Sequence, residues 1–137
     1  MPATDGAPVD AHVIAADFRR PRFVLAVPDA QATAAWWVDA MGFARILEVP
    51  GRVFVRRCDC IIHLGSCPDA LPPRDLGDHS YFGYIEVDSI DALHAEISAN
   101  GVTILSPPAD KPWGMREMAV RTPDGHRVMF GQPAPKT

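Results

Sequence analysis

A soft-metal site needs clustered thiolates, and Cys58, Cys60 and Cys67 come close enough in sequence to suggest one. The plainer reading takes them as small buried hydrophobes in reduced form, with Cys58 and Cys60 sharing one face of a strand. Proton transfer needs positioned carboxylates, and Glu86 and Glu117 fall in strand-like segments. Glu86 shares parity with Phe82 and Tyr84, although solvated carboxylates are the plainer reading for both. No Ser or Cys has a visible His and carboxylate framework for nucleophilic catalysis. The stretch that carries most is Trp113-Gly114-Met115-Arg116-Glu117. Its indole is a flat surface for a planar ligand, and Gly114 lets a backbone or ligand approach closely. The competing reading places Trp113 in the core at a strand start.

These residues must be held by regular elements. Behind Trp113, Met118 and Val120, then Val128 and Phe130, alternate with polar neighbours as half-buried strands do. Thr122-Pro123-Asp124-Gly125 between them is turn chemistry. Earlier, residues 22–27 read as a strand, Asp29 as an N-cap, residues 30–41 as a helix and Gly42 as its stop. Strands over 44–49, 52–57 and 60–65 follow. Residues 66–80, broken by prolines and Gly77, form a linker. The pattern then restarts: a strand over 81–87, Asp88 as cap, a helix over 90–99 with Ile90, Leu93 and Ile97 inward, Asn100-Gly101 as stop, a strand over 102–105 and a loop over 107–112. Asp29 to Gly42 and Asp88 to Gly101 both span thirteen residues, which predicts an internal duplication of a βαβββ module.

Bulk properties narrow the class. A chain of 137 residues suits one domain with a real core. The net charge of −4 gives nucleic acid no electrostatic handle. No apolar run reaches the ~20 residues that span a bilayer. Neither a signal-peptide pattern nor an even cysteine count is present, so the expected setting is the cytoplasm. Residues 1–20, including His12, read as an arm, and 133–137 as a tail.

In order and spacing, these motifs resemble the vicinal oxygen chelate superfamily, the glyoxalase and bleomycin-resistance fold. The resemblance covers roughly residues 21–132. It is carried by Val27, Asp29, Trp36, Trp37, Met41, Gly42 and Phe43 in the first half. In the second half it is carried by Val87-Asp88, Asp91-Ala92-Leu93, Asn100-Gly101-Val102, then PWGMRE and TPDG. It implies an α+β fold, two tandem βαβββ modules (21–66 and 81–132, joined by 67–80) forming a curled mixed sheet around a cleft, and a homodimer. The antibiotic-binding branch is the most similar in its PWG-x-RE text.

Metal-dependent members of such a family place His, Glu or Gln at four cleft positions. Carried over, these fall on Arg22, Ile61 (or His63 after a slip in register), Phe82 and Met129. The resemblance therefore implies no metal and no other cofactor. It leaves an aromatic cleft of Phe54, Phe82, Tyr84, Trp113 and Met129, with Arg22, Arg56, His63 and Arg116 as polar anchors. With an acidic chain, a cationic drug would also be attracted. The expected function is sequestration of a planar or aromatic small molecule without catalysis. The rivals are a glyoxalase- or dioxygenase-like lyase or isomerase using Glu86, His63 or Glu117, and a thiol-dependent metal binder.

Overall fold

The computed structural model describes residues 16–77 and 79–134. His12, most of the expected arm and the last residues of the expected tail lie outside them. The chain runs β1 (Phe23–Val27), α1 (Ala30–Asp39), β2 (Ala44–Val49), β3 (Arg52–Arg57), β4 (Cys60–Ser66), a short 3-10 helix (Pro73–Leu76), β5 (Tyr81–Glu86), α2 (Ile90–Ala99), β6 (Thr103–Asp110), β7 (Met115–Arg121) and β8 (Arg127–Pro133). The strands form two four-stranded mixed sheets, ordered β1-β4-β3-β2 and β5-β8-β7-β6. In each, the first strand pairs in parallel with the last and the other pairings are antiparallel. The helices start sixty residues apart, at Ala30 and Ile90. The fold is α+β, with the tandem modules that the repeat predicts.

Alternation places one face of each sheet under its helix. Leu25, Val27, Val53, Val55, Ile62 and Leu64 are buried beneath α1, and Met118, Val120, Val128 and Phe130 beneath α2. All belong to one continuous core. Trp37 joins the halves: its ring lies edge-on to Phe43 at 4.9 Å and to Phe82 at 6.3 Å. Phe82 also meets Phe23 at 5.5 Å. Gly83 makes that contact possible, because a Cβ there would collide with the Phe23 ring. Polar bonds cross the same seam, from Thr33 Oγ1 to Asp124, from Asn100 Nδ2 to the Ala40 carbonyl (3.0 Å), and between Arg57 and Glu96 (2.8 Å).

Four expectations need correction. Asp88 does not cap α2. Ser89 is the N-cap residue, its side chain makes no capping bond, and the Ile90 N–H is taken by the Gln132 side chain from β8. The loop expected over 107–112 is largely strand. β6 runs on through Pro107 and Pro108, which an edge strand with bulges tolerates because no ladder bond needs their missing N–H. The linker contains a 3-10 turn. Cys58 and Cys67 are exposed, not buried, and Cys58 occupies a turn with φ of 52°, so it does not share a strand face with Cys60.

The first helix is capped partly by its own sequence, since Asp29 accepts from the N–H groups of Gln31 and Ala32, while the Ala30 N–H is taken by the Ser66 hydroxyl at the end of β4. The second depends on a tertiary acceptor. Gln132→Ala should therefore cost about 1 kcal/mol of stability, the usual worth of an N-cap, while Asp88→Ala should stay within about 0.5 kcal/mol. Urea-denaturation midpoints of the two variants check this.

Candidate ligand-binding site

The faces that the helices leave open carry the chemistry. On the first sheet, Phe54 and His63 stand opposite each other on β3 and β4, and their rings stack at 3.6 Å with 4° between planes. Arg56 pairs with Ile61 two residues along, and Arg22 leads into β1 beside Ile61. Arg20, Arg22, Arg56, Ile61, Cys58 and Asp59 line a groove of about 570 Å³ there. Burial of the His63 ring, and then the positive charges of Arg22 and Arg52, hold its imidazole below its ordinary pKa. Its Nε2 is buried and has no hydrogen-bond partner among the described residues. The Cys60 thiol is pushed up to about 11 by burial and by Cys58, which makes it a poor thiolate at neutral pH.

On the second sheet, Glu117 is 6% exposed. One of its carboxylate oxygens accepts from the Tyr84 hydroxyl and from the Trp113 indole N–H, both at 2.9 Å. The carboxylate thus locks two aromatic side chains. Tyr84 reaches it by crossing Gly131, where any Cβ would overlap the phenol oxygen. Burial and the Glu117 bond push the Tyr84 hydroxyl up to about 12, so it stays a donor. Met129 lies beside Tyr84 in register. Trp113 is 65% exposed, which removes the core reading of this residue.

Arg22, Phe54, Arg56 and His63 therefore gather on the first sheet, and Tyr84, Trp113 and Met129 on the second. The other two nominated residues lie elsewhere. A register shift in β5 between Tyr81 and Gly83 breaks the parity of Phe82 with Tyr84, and the half-buried Phe82 packs against the core, edge-on to Trp37 and Phe23. Arg116 is bound by Asp91 of α2 (2.9 Å) and by Asp110 (3.1 Å). Glu86 is exposed, as a solvated carboxylate should be. Glu117, given the same reading from sequence, is the buried centre of a network. Its parity, opposite to Met118 and Val120, was the available signal.

Residues 19–130 match the Glyoxalase/Bleomycin resistance protein/Dioxygenase superfamily. The chain belongs to this superfamily. A bleomycin-binding protein from bleomycin-producing Streptomyces verticillus, complexed with copper(II)-bleomycin, is 29% identical over 88% of this chain and 99% of that one, with a TM-score of 0.68. A bleomycin resistance determinant encoded on transposon Tn5 is 21% identical over 85% and 98% (TM-score 0.71). Lactoylglutathione lyase from Agrobacterium tumefaciens is 19% identical over 81% and 90% (TM-score 0.61). The latter two show the fold alone. Among curated proteins no match is found.

The superfamily's metal centre does not fit this donor set. The positions that the resemblance would assign to a metal, Arg22, Ile61, Phe82 and Met129, offer a guanidinium, an aliphatic chain, a phenyl ring packed against the core and a thioether, whereas a hard divalent ion needs oxygen and imidazole donors. His63, the one imidazole nearby, is stacked on Phe54. Among the described residues, no three His, Cys, Asp or Glu side chains are grouped to hold an ion.

The depressed His63 pKa gives a direct check. Proton NMR titration should place its midpoint below the ordinary imidazole value, and Arg52→Gln or Arg22→Gln should raise it, because each removes a positive charge that opposes the imidazolium.

Proposed function

We propose that this protein binds a planar or aromatic small molecule and sequesters it without chemistry or a bound metal. The observation that carries the reading is the Tyr84–Glu117–Trp113 triad. Two aromatic side chains are fixed by one buried carboxylate at the open face of a sheet. A locked, exposed indole offers stacking area at little entropic cost. The 29% identical relative, solved with copper(II)-bleomycin, supports a ligand of this general kind. A lyase or isomerase would need a free base. The Glu117 oxygen already accepts from two fixed donors, and this favours a positioning role over proton transfer.

The proposal includes a homodimer and a cytoplasmic setting. β2 and β6 end their sheets as open edges. Unpaired edges are normally covered, most often by a two-fold partner. No helix among the described residues is long and apolar enough to cross a membrane.

A thermal-shift screen of planar antibiotics and metabolites tests the reading. For any hit, Trp113→Ala should weaken binding roughly tenfold or more while the melting temperature hardly moves, because the ring is largely exposed. Unchanged affinity in a folded Trp113→Ala protein would refute the stacking role. Light scattering should give a particle of twice the 14.9 kDa chain mass; a monomer stable at high concentration would remove the homodimer.

A further inference from the structure

We infer that the open face of β1, β4 and β3 is an anion-binding platform, so that the planar ligand carries an acidic group such as a carboxylate or sulfonate. This rests on the small-molecule reading above and assigns a charge preference to a second face, on the first sheet, apart from the Tyr84–Glu117–Trp113 triad.

Sheet register sets out the argument. The Phe54–His63 stack occupies the middle of the face. Toward one end, Arg56 and Arg22 flank Ile61 in the groove, with Arg20 on its rim. Toward the other end, Arg52 pairs with Gly65 and its guanidinium lies over that residue, 3.8 Å from where a Cβ would be. An aromatic–imidazole stack is thus bracketed by guanidinium groups.

The pairing of charges supports the same conclusion. Other arginines are matched with carboxylates, Arg57 with Glu96, Arg116 with Asp91 and Asp110, Arg45 with Glu48, while Arg74 and Arg121, apart from this face, are not matched among the described residues. Among the described residues, Arg20, Arg22, Arg52 and Arg56 form no ion pair. Acidic groups are not scarce, since the chain has seventeen Asp and Glu against thirteen Lys and Arg. Asp59 is the carboxylate that lines the groove, and it pairs with none of these arginines. Unmatched guanidinium forks suit a carboxylate or sulfonate, which they can grip through two parallel bonds. The unpartnered, buried His63 Nε2 is a further unmet polar group on this face. The net charge of −4 acts at long range, but screening limits it to ~8 Å at physiological salt, and at contact the arginines dominate. The expectation of a cationic ligand, drawn from net charge, is thereby reversed for this face.

Three probes of one shape test the inference: 2-naphthoate, 2-naphthamide and 2-naphthylmethylammonium, titrated into the full chain by calorimetry at low and high salt. The naphthoate should bind roughly tenfold more tightly than the amide, with the ammonium weakest, and added salt should shrink the gap. Arg22→Gln, Arg52→Gln and Arg56→Gln should each cost roughly threefold for the naphthoate only, and the Arg22→Gln/Arg56→Gln double variant should erase most of the preference. Arg74→Gln, beside the Gly125 turn, should change nothing. If the amide or ammonium binds as well as the naphthoate, the anion platform is wrong and the aromatic site stands. If the naphthoate preference survives in the double variant, the platform is misplaced. If no probe binds at millimolar concentration, both readings fall.

Discussion

Trp37 is the contact on which the two modules depend. It leaves α1, packs edge-on against Phe43 of its own module and reaches Phe82 of the other. Without a shared core, each module would be one ten-residue helix on four strands, too little apolar surface to offset the entropy of ordering it. The price of this contact is local irregularity. Phe82 can face Trp37 only because β5 shifts register between Tyr81 and Gly83, and Phe23 can approach only because residue 83 has no side chain. The same shift leaves Tyr84 on the opposite face, where it meets Glu117. The join between modules and the layout of the second open face are thus set by one strand.

A single helix per module also explains why binding surfaces exist. Each helix covers one face of its sheet, and the other face stays open with its alternate residues displayed. The duplicated architecture then diverges in chemistry. On the first sheet, guanidinium groups bracket an aromatic–imidazole stack, and burial, aided by the charges of Arg22 and Arg52, depresses the His63 pKa. On the second, a buried carboxylate organises an indole and a phenol. The first presents positive charge that the fold does not neutralise. The second uses its negative charge internally, to hold Tyr84 and Trp113 in place. Membership of a superfamily that includes binding proteins and lyases does not choose between those activities.

Much of this was legible in the sequence because it is local. Asp29 and Gly42 bound the first helix through their own cap and turn chemistry, and period-two alternation sorted Val53 and Val55 from Phe54 and Arg56. The repeat of these signals after sixty residues identified the duplicated fold. Tertiary structure decided whatever depends on partners distant in the chain. The α2 cap comes from Gln132, forty-two positions after the N–H it accepts. Phe82 packs against the core because a register shift, which alternation cannot foresee, turned it toward Trp37. Pro107 and Pro108 could sit in a strand because β6 is an edge, a property of sheet order and not of composition. Glu117 became the centre of a network because Tyr84, thirty-three residues away, reaches it across Gly131. Sequence pattern tells which face a side chain takes; which charges meet there, and whether they are neutralised, is settled only when the strands are laid side by side.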